Sequence, residues 1–227
     1  MYIMNQLEQF QKLLYKKSGL LKCIFSTLLF QVLITTMVVF YLYNNSSSFD
    51  SFLNGVPIMF FILFLFAISI FLIVNVLSAN MSFQTRISLF VLFSIVEGVF
   101  LAIVTRYIPR DIISSALVST IAIFFSFLFF GFLVVYFGID LSWMTMFLFF
   151  SLLGVILYRI VLMFMPDSRY QRIYLVTFVL FLFSLFILYD TNNILLKYRD
   201  DGRDCVRGAL DYYLDIINIF VHSLNTN

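Results

Sequence analysis

Seven apolar runs separated by short polar breaks lay out the chain, at about 21–43, 57–77, 87–107, 112–137, 141–165, 173–196 and 205–224. Each is close to the roughly 20 residues a helix needs to cross a bilayer core about 30 Å thick. Asn44–Ser48 and Phe52–Pro57 belong to a loop without Lys or Arg. Pro109-Arg110-Asp111, Gly138-Ile139-Asp140 and Pro166-Asp167-Ser168 read as turns, because Gly and Pro punctuate helices. Ahead of the first run, Leu7, Phe10, Leu13 and Leu14 share one face while Lys12, Lys16 and Lys17 share the other. That spacing predicts an interfacial amphipathic leader over 1–20, followed by a transmembrane domain over 21–227. The last run is the least apolar, as suits a helix buried among others, and it either spans or re-enters. The expected fold is an all-α integral membrane protein, a seven-helix bundle.

Composition narrows the picture further. Hydrophobic residues make up 63% of the 227, mean hydropathy is +1.04, and only 11% are charged, which excludes an ordinary soluble domain. Alternating strand segments of the kind a barrel needs are absent. A net charge of +2 speaks against a nucleic-acid partner. The abundance of Phe, Ile, Tyr and Asn matches an AT-rich genome such as that of a large DNA virus or a parasite. Lys12, Lys16, Lys17, Lys22, Arg86, Lys197, Arg199, Arg203 and Arg207 fall on one face, against Arg106, Arg110, Arg169 and Arg172 on the other. This bias puts the N-terminus in the cytosol. The polar, Lys-containing first twenty residues predict an uncleaved first span. Cys23 and Cys205 lie on the same basic flank, and in a reducing cytosol they are expected as free thiols.

The chemistry sits in the last fifth of the chain. Asp190 lies seven residues before Lys197 and Asp215 eight after Arg207, so both acids sit roughly 10–12 Å in from the same face on neighbouring helices. A carboxylate in hydrocarbon costs a few kcal/mol or more, which makes each a functional candidate. Asp211, Asp215, Asn218 and His222 follow at helical spacing and line one face. Asp211 also reads as a solvated helix start and His222 as an interfacial tail residue. Glu97, beside Gly98 in the third run, and Arg159, in the fifth, are the other charges well inside apolar stretches. Glu97 reads either as a structural contact or as the partner of Arg159, and Arg159 otherwise snorkels. Two acids in contact share one proton, and their second dissociation is strongly raised. Such a pair can act as a proton-sensitive latch, and its oxygens suit a hard cation such as Ca²⁺ in transit. No resident cofactor is expected. An intramembrane aspartyl protease is disfavoured, because Leu214-Asp215-Ile216 lacks the glycines those enzymes place before the acid. A seven-helix receptor is disfavoured by the missing acidic-Arg-Tyr motif.

Ile187-Leu188-Tyr189-Asp190-Thr191 and Tyr213-Leu214-Asp215-Ile216-Ile217-Asn218-Ile219-Phe220 strongly resemble the C-terminal signature of the Bax inhibitor-1 family (transmembrane Bax inhibitor motif proteins), nearest its Lifeguard and Golgi anti-apoptotic branch. Gln31-x-x-x-Thr35, Phe93-Ser-Ile-Val-Glu97-Gly98 and Phe147 to Leu157 resemble further family segments. The resemblance implies six helices around a central C-terminal helix. It also implies a pH-dependent Ca²⁺ leak with Asp190 and Asp215 as the paired acids and transient Ca²⁺ ligands. Glu97, Arg159, Asp211, Asn218 and His222 then form a supporting polar pathway. It implies a Golgi or endoplasmic reticulum membrane, with viral members known, and a role in lowering stored Ca²⁺ and opposing apoptosis. The alternative is a non-conducting regulator that binds a host channel or cell-death protein. The bilayer, Ca²⁺, H⁺ and either a second copy or such host proteins are the implied partners. Some bacterial relatives latch the acid pair with an Arg in the second span. That span is uncharged here, which leaves Arg86 or Arg159 as substitutes, or no latch.

Overall fold

The computed structural model describes the backbone over 2–78, 81–162 and 169–224, and side chains from residue 6 onward within that range except Arg169. Pro166-Asp167-Ser168 lie outside the described residues. All regular structure there is helical: α1 (Tyr2–Asn44), α2 (Ser46–Asn54), α3 (Ile58–Leu77), α4 (Phe83–Thr105), α5 (Arg110–Tyr136), α6 (Met144–Leu162), α7 (Arg169–Leu196) and α8 (Gly202–Ser223).

The seven-helix expectation is corrected. Among the described residues there are eight helices, and six of them, α1 and α3 to α7, are long and apolar enough to cross a membrane. The count changes at two places. The supposed loop before Pro57 contains α2, nine residues whose Leu53 is buried. Phe49 and Leu53 stand four apart, one turn on one face. At the other end, α8 has the length of a span but carries Arg203, Asp204, Arg207, Asp211 and Asp215 within its first fourteen residues. Charges at that density are too costly to place against lipid, so hydropathy does not support counting it as a seventh span.

Boundaries follow local chemistry. Pro57 stands just ahead of α3, where its missing N–H costs nothing and its fixed φ suits helix entry. Ser82 caps α4 by accepting from the Thr85 N–H at 3.2 Å. Arg86 is buried on the first turn of α4 and closes the end of α3. Its Nη1 donates to Val76 O at 2.8 Å, its Nε to Met81 O at 3.1 Å, and its Nη2 to Ser78 O. A guanidinium is suited to this, since it offers five donors to orphan carbonyls.

The chain divides into two compact units. One comprises Met1–Gly19, Arg110–Arg199 and Leu214–Asn227. In it α5 and α6 both pack on α7, and Leu141, Met144, Leu148 and Leu182 form a buried cluster. Phe10 of α1 meets Tyr136 of α5 edge to face at 5.5 Å. The second unit comprises Leu20–Pro109 and Asp200–Tyr213, with α3 packed on α4. Phe60, Phe64 and Phe71 of α3 and Phe125 and Phe129 of α5 remain exposed, as the lipid-facing sides of spanning helices should.

Two glycines mark close helix approaches. A Cβ on Gly131 of α5 would stand 2.6 Å from the Thr191 Cβ of α7, next to Asp190. A Cβ on Gly98 of α4 would stand 2.7 Å from the Val38 Cβ of α1. Gly131→Ala therefore has to push α5 off α7. The expected loss is about 1–3 kcal/mol in thermal unfolding. Gly154→Ala, which meets nothing within 4 Å, is the neutral comparison.

The α5–α6 connection is pinned in its own unit. Asn192 of α7 accepts from the Leu141 N–H at 3.0 Å and donates to Ile139 O at 2.8 Å. Gly138 takes a φ of 75°, which a side chain would resist. Asp140 accepts from the Ser142 N–H at 2.9 Å and from its hydroxyl, and Lys197 lies 3.9 Å away. These donors hold the Asp140 carboxyl below the usual carboxylate range, the Ser142 hydroxyl contributing most. A depressed folded-state value stabilises the fold at neutral pH, and the contribution is lost as pH falls through that value. Asp140→Asn should accordingly lower the melting temperature at neutral pH, with the gap to wild type closing in acid.

Candidate functional site

Asp190 of α7 is half-buried and Asp215 of α8 is 4% exposed, and both belong to the first unit. Their helices touch where the Phe183 and His222 rings approach to 6.3 Å. Asp190 follows Phe183 by seven residues, and Asp215 precedes His222 by seven. Residues 197–201 separate α7 from α8. Each step of seven residues is about two helical turns, roughly 10 Å along its own helix. Seven residues also return each side chain to nearly its starting face. Both acids take part in polar interactions and neither stands isolated.

The other expected residues are placed more variously. On α8, Asn218 Nδ2 donates to Leu214 O at 2.8 Å, and His222 Nδ1 lies 2.8 Å from Asn218 O. Asp211 is half-buried and also has polar partners. Glu97 accepts from Ser69 of α3 at 3.0 Å. That contact lies within the second unit. Arg86 spends its guanidinium on the carbonyls at the end of α3, which is a structural use.

The second unit contains a buried polar track that the acid pattern did not announce. Ser94 of α4 donates to Gln31 Oε1 of α1 at 2.7 Å. The Thr35 hydroxyl lies 3.1 Å from Ser94 O and 2.6 Å from the Tyr213 hydroxyl. Gln31, Ser94 and Tyr213 are each fully buried. Phe90 and Phe93 seal Tyr213 edge-on at 5.5 and 5.7 Å. Gln31 and Thr35 stood out as an i, i+4 pair. Their partners come from helices distant in sequence, and isolated Ser and Tyr residues carry no signal of their own.

Cys23 and Cys205 are not free thiols. They form a disulfide that joins α1 to α8 across 182 positions, with Cα atoms 5.8 Å apart. The expectation of reduced cysteines rested on compartment alone, whereas the fold brings the two helices together at this point.

Among the described residues, no group of three or more His, Cys, Asp or Glu side chains is placed to hold a metal ion. Ca²⁺ is ordinarily surrounded by about six to eight oxygens. Two carboxylates alone fall short of such a shell.

A family model described as "Inhibitor of apoptosis-promoting Bax1" matches residues 17–226. Bax inhibitor 1 of Schizosaccharomyces pombe is 26% identical over 210 residues, covering 92% of this chain and 75% of the relative. Protein LIFEGUARD 4 of Arabidopsis thaliana is 30% identical over 84 residues, 37% of this chain and 33% of the relative. Bax inhibitor 1 of Drosophila melanogaster is 45% identical over 40 residues, 18% of this chain and 16% of the relative.

Proposed function

The chain belongs to the Bax inhibitor-1 family, and from that premise we propose that it is a proton-gated Ca²⁺ leak channel whose gate is the Asp190–Asp215 pair. It is a multi-pass membrane protein, and the family consists of non-enzymatic channels and regulators, so the protease reading falls away. The observation that supports the proposal is the approach of α7 to α8 at Phe183 and His222, seven residues in sequence from Asp190 and Asp215. Asp215 adds burial, and a buried carboxylate persists only with partners or a task.

The mechanism follows from two like charges in a medium of low dielectric. With one proton shared, the carboxyl groups bond to each other and hold α7 to α8. With both ionised, they repel and attract a divalent cation, which relieves the repulsion. Acid therefore favours the closed, protonated latch, and rising pH favours the ion-accepting state. The charge bias places the N-terminus in the cytosol, and we assign the protein to a Golgi or endoplasmic reticulum membrane, where such a leak lowers stored Ca²⁺. The residue bias of the sequence fits an AT-rich genome such as that of a large DNA virus or a parasite.

One observation favours a second reading, a non-conducting regulator of cell death. The matching family is described by its opposition to a death-promoting protein, not by transport. Purified protein in liposomes, with no other protein present, separates the two. The channel reading predicts Ca²⁺ entry that follows pH. Dye-reported flux no faster than in empty liposomes at any pH would overturn it.

A further inference from the structure

A cavity of about 320 Å³ opens in the second unit where the C-terminal ends of α1 and α4 meet α2. Val39, Leu42 and Phe49 give it apolar walls, and Ala102 lines it from α4. Its polar end is an ion pair. Arg106 Nη2 lies 2.7 Å from Asp50 Oδ1, and the Arg106 side chain is only 15% exposed. Despite that distance, Asp50 Oδ1 and Arg106 Nε are both buried without an aligned hydrogen bond among the described residues. The ion pair engages Asp50 Oδ1 through Arg106 Nη2 and leaves the Arg106 Nε donor unspent beside it. Tyr107 backs the guanidinium, its ring centroid 4.9 Å from Cζ, and holds it from the other side.

The neighbouring charges select the ligand. A simple anion would meet Asp50, and a simple cation would meet Arg106. A molecule with both charges in close succession satisfies both: an oxyanion accepts from Arg106 Nε–H, and an adjacent N–H⁺ donates to Asp50 Oδ1. The apolar walls and the position at the ends of two spanning helices add an acyl body at the bilayer surface. We propose that this cavity binds the head group of a zwitterionic phospholipid with a primary ammonium, a phosphatidylethanolamine, with Arg106 on the phosphodiester and Asp50 on the ammonium. The proposal stands independently of the ion-leak reading, since it uses neither Asp190 nor Asp215.

The test is a titration of the purified full chain in detergent with dihexanoyl phosphatidylethanolamine, read by calorimetry. Three comparison ligands separate the contributions: dihexanoyl phosphatidic acid without the ammonium, dihexanoyl phosphatidylcholine without its N–H donors, and glycerophosphoethanolamine without acyl chains. The ethanolamine lipid should bind at least tenfold more tightly than each of them. Arg106→Gln should reduce its affinity at least tenfold, and Asp50→Asn should erase the preference over phosphatidic acid. Ala102→Leu fills the cavity without touching a charge, so it should block binding even if Arg106→Gln fails to fold. Equal affinity for all three lipids, or unchanged binding by Ala102→Leu, would overturn the site. Equal binding of glycerophosphoethanolamine would overturn the lipid assignment in favour of a soluble zwitterion.

Discussion

Asp215→Asn should reduce Ca²⁺ flux into proteoliposomes by one to two powers of ten, with its helical content unchanged. Asn keeps the shape and one acceptor oxygen but has no charge to offer an ion and no proton to share. Charge-assisted interactions contribute about 1.5–3 kcal/mol each, and every 1.4 kcal/mol is about a factor of ten in rate. Flux in the variant should also lose its pH dependence, because a single remaining acid has no like-charged neighbour to raise its second dissociation. Flux measured from mildly acid to mildly alkaline conditions checks both statements. A well-folded variant that leaks as wild type does would remove Asp215 from the pathway.

The second large effect concerns the Cys23–Cys205 disulfide. Its loop of more than 180 residues would contribute about 5 kcal/mol by chain entropy alone. Helices that stay inserted when a membrane protein unfolds are already constrained, so the realised contribution is smaller. Cys205→Ser, or reduction of the wild type, should cost about 2–4 kcal/mol in detergent. Thermal unfolding with and without reductant measures it, and the serine variant should no longer respond to reductant. An unchanged melting temperature on reduction would show that the bridge constrains nothing. The disulfide also bears on topology. Both cysteines lie on the basic flank that the charge bias assigns to the cytosol, and cytosolic disulfides are uncommon. Labelling of Lys12 or Lys16 from one side of sealed vesicles locates that flank directly.

These two predictions draw on features that differ in how far the sequence reveals them. The continuous apolar runs behind α3 and α5 give those helices nearly to the residue, since hydropathy and Pro or Gly boundaries agree. The stretch that forms α2 reads as a loop because Asn44 to Ser48 is polar, and the i, i+4 pair of Phe49 and Leu53 is too short to register as a period. The α8 segment is recognisable as a helix, but its charges make it unlike a lipid-facing span, and length alone miscounts it. The acids are legible because charge in an apolar run is rare and costly. The disulfide, the track through Gln31, Ser94, Thr35 and Tyr213, and the Arg106–Asp50 cavity each join residues far apart in sequence, with nothing local to connect them. Arg86 shows the converse. A charge at the edge of an apolar run invites a latch role, yet it binds the carbonyls that end α3.

A double-mutant cycle on flux, comparing wild type, Asp190→Asn, Asp215→Asn and the double variant across pH, asks whether the two acids act as one unit. If they do, either single substitution lowers flux almost as far as both together and abolishes the pH response. Losses that simply multiply, or a pH response that survives in the double variant, would show that proton gating resides elsewhere in the protein.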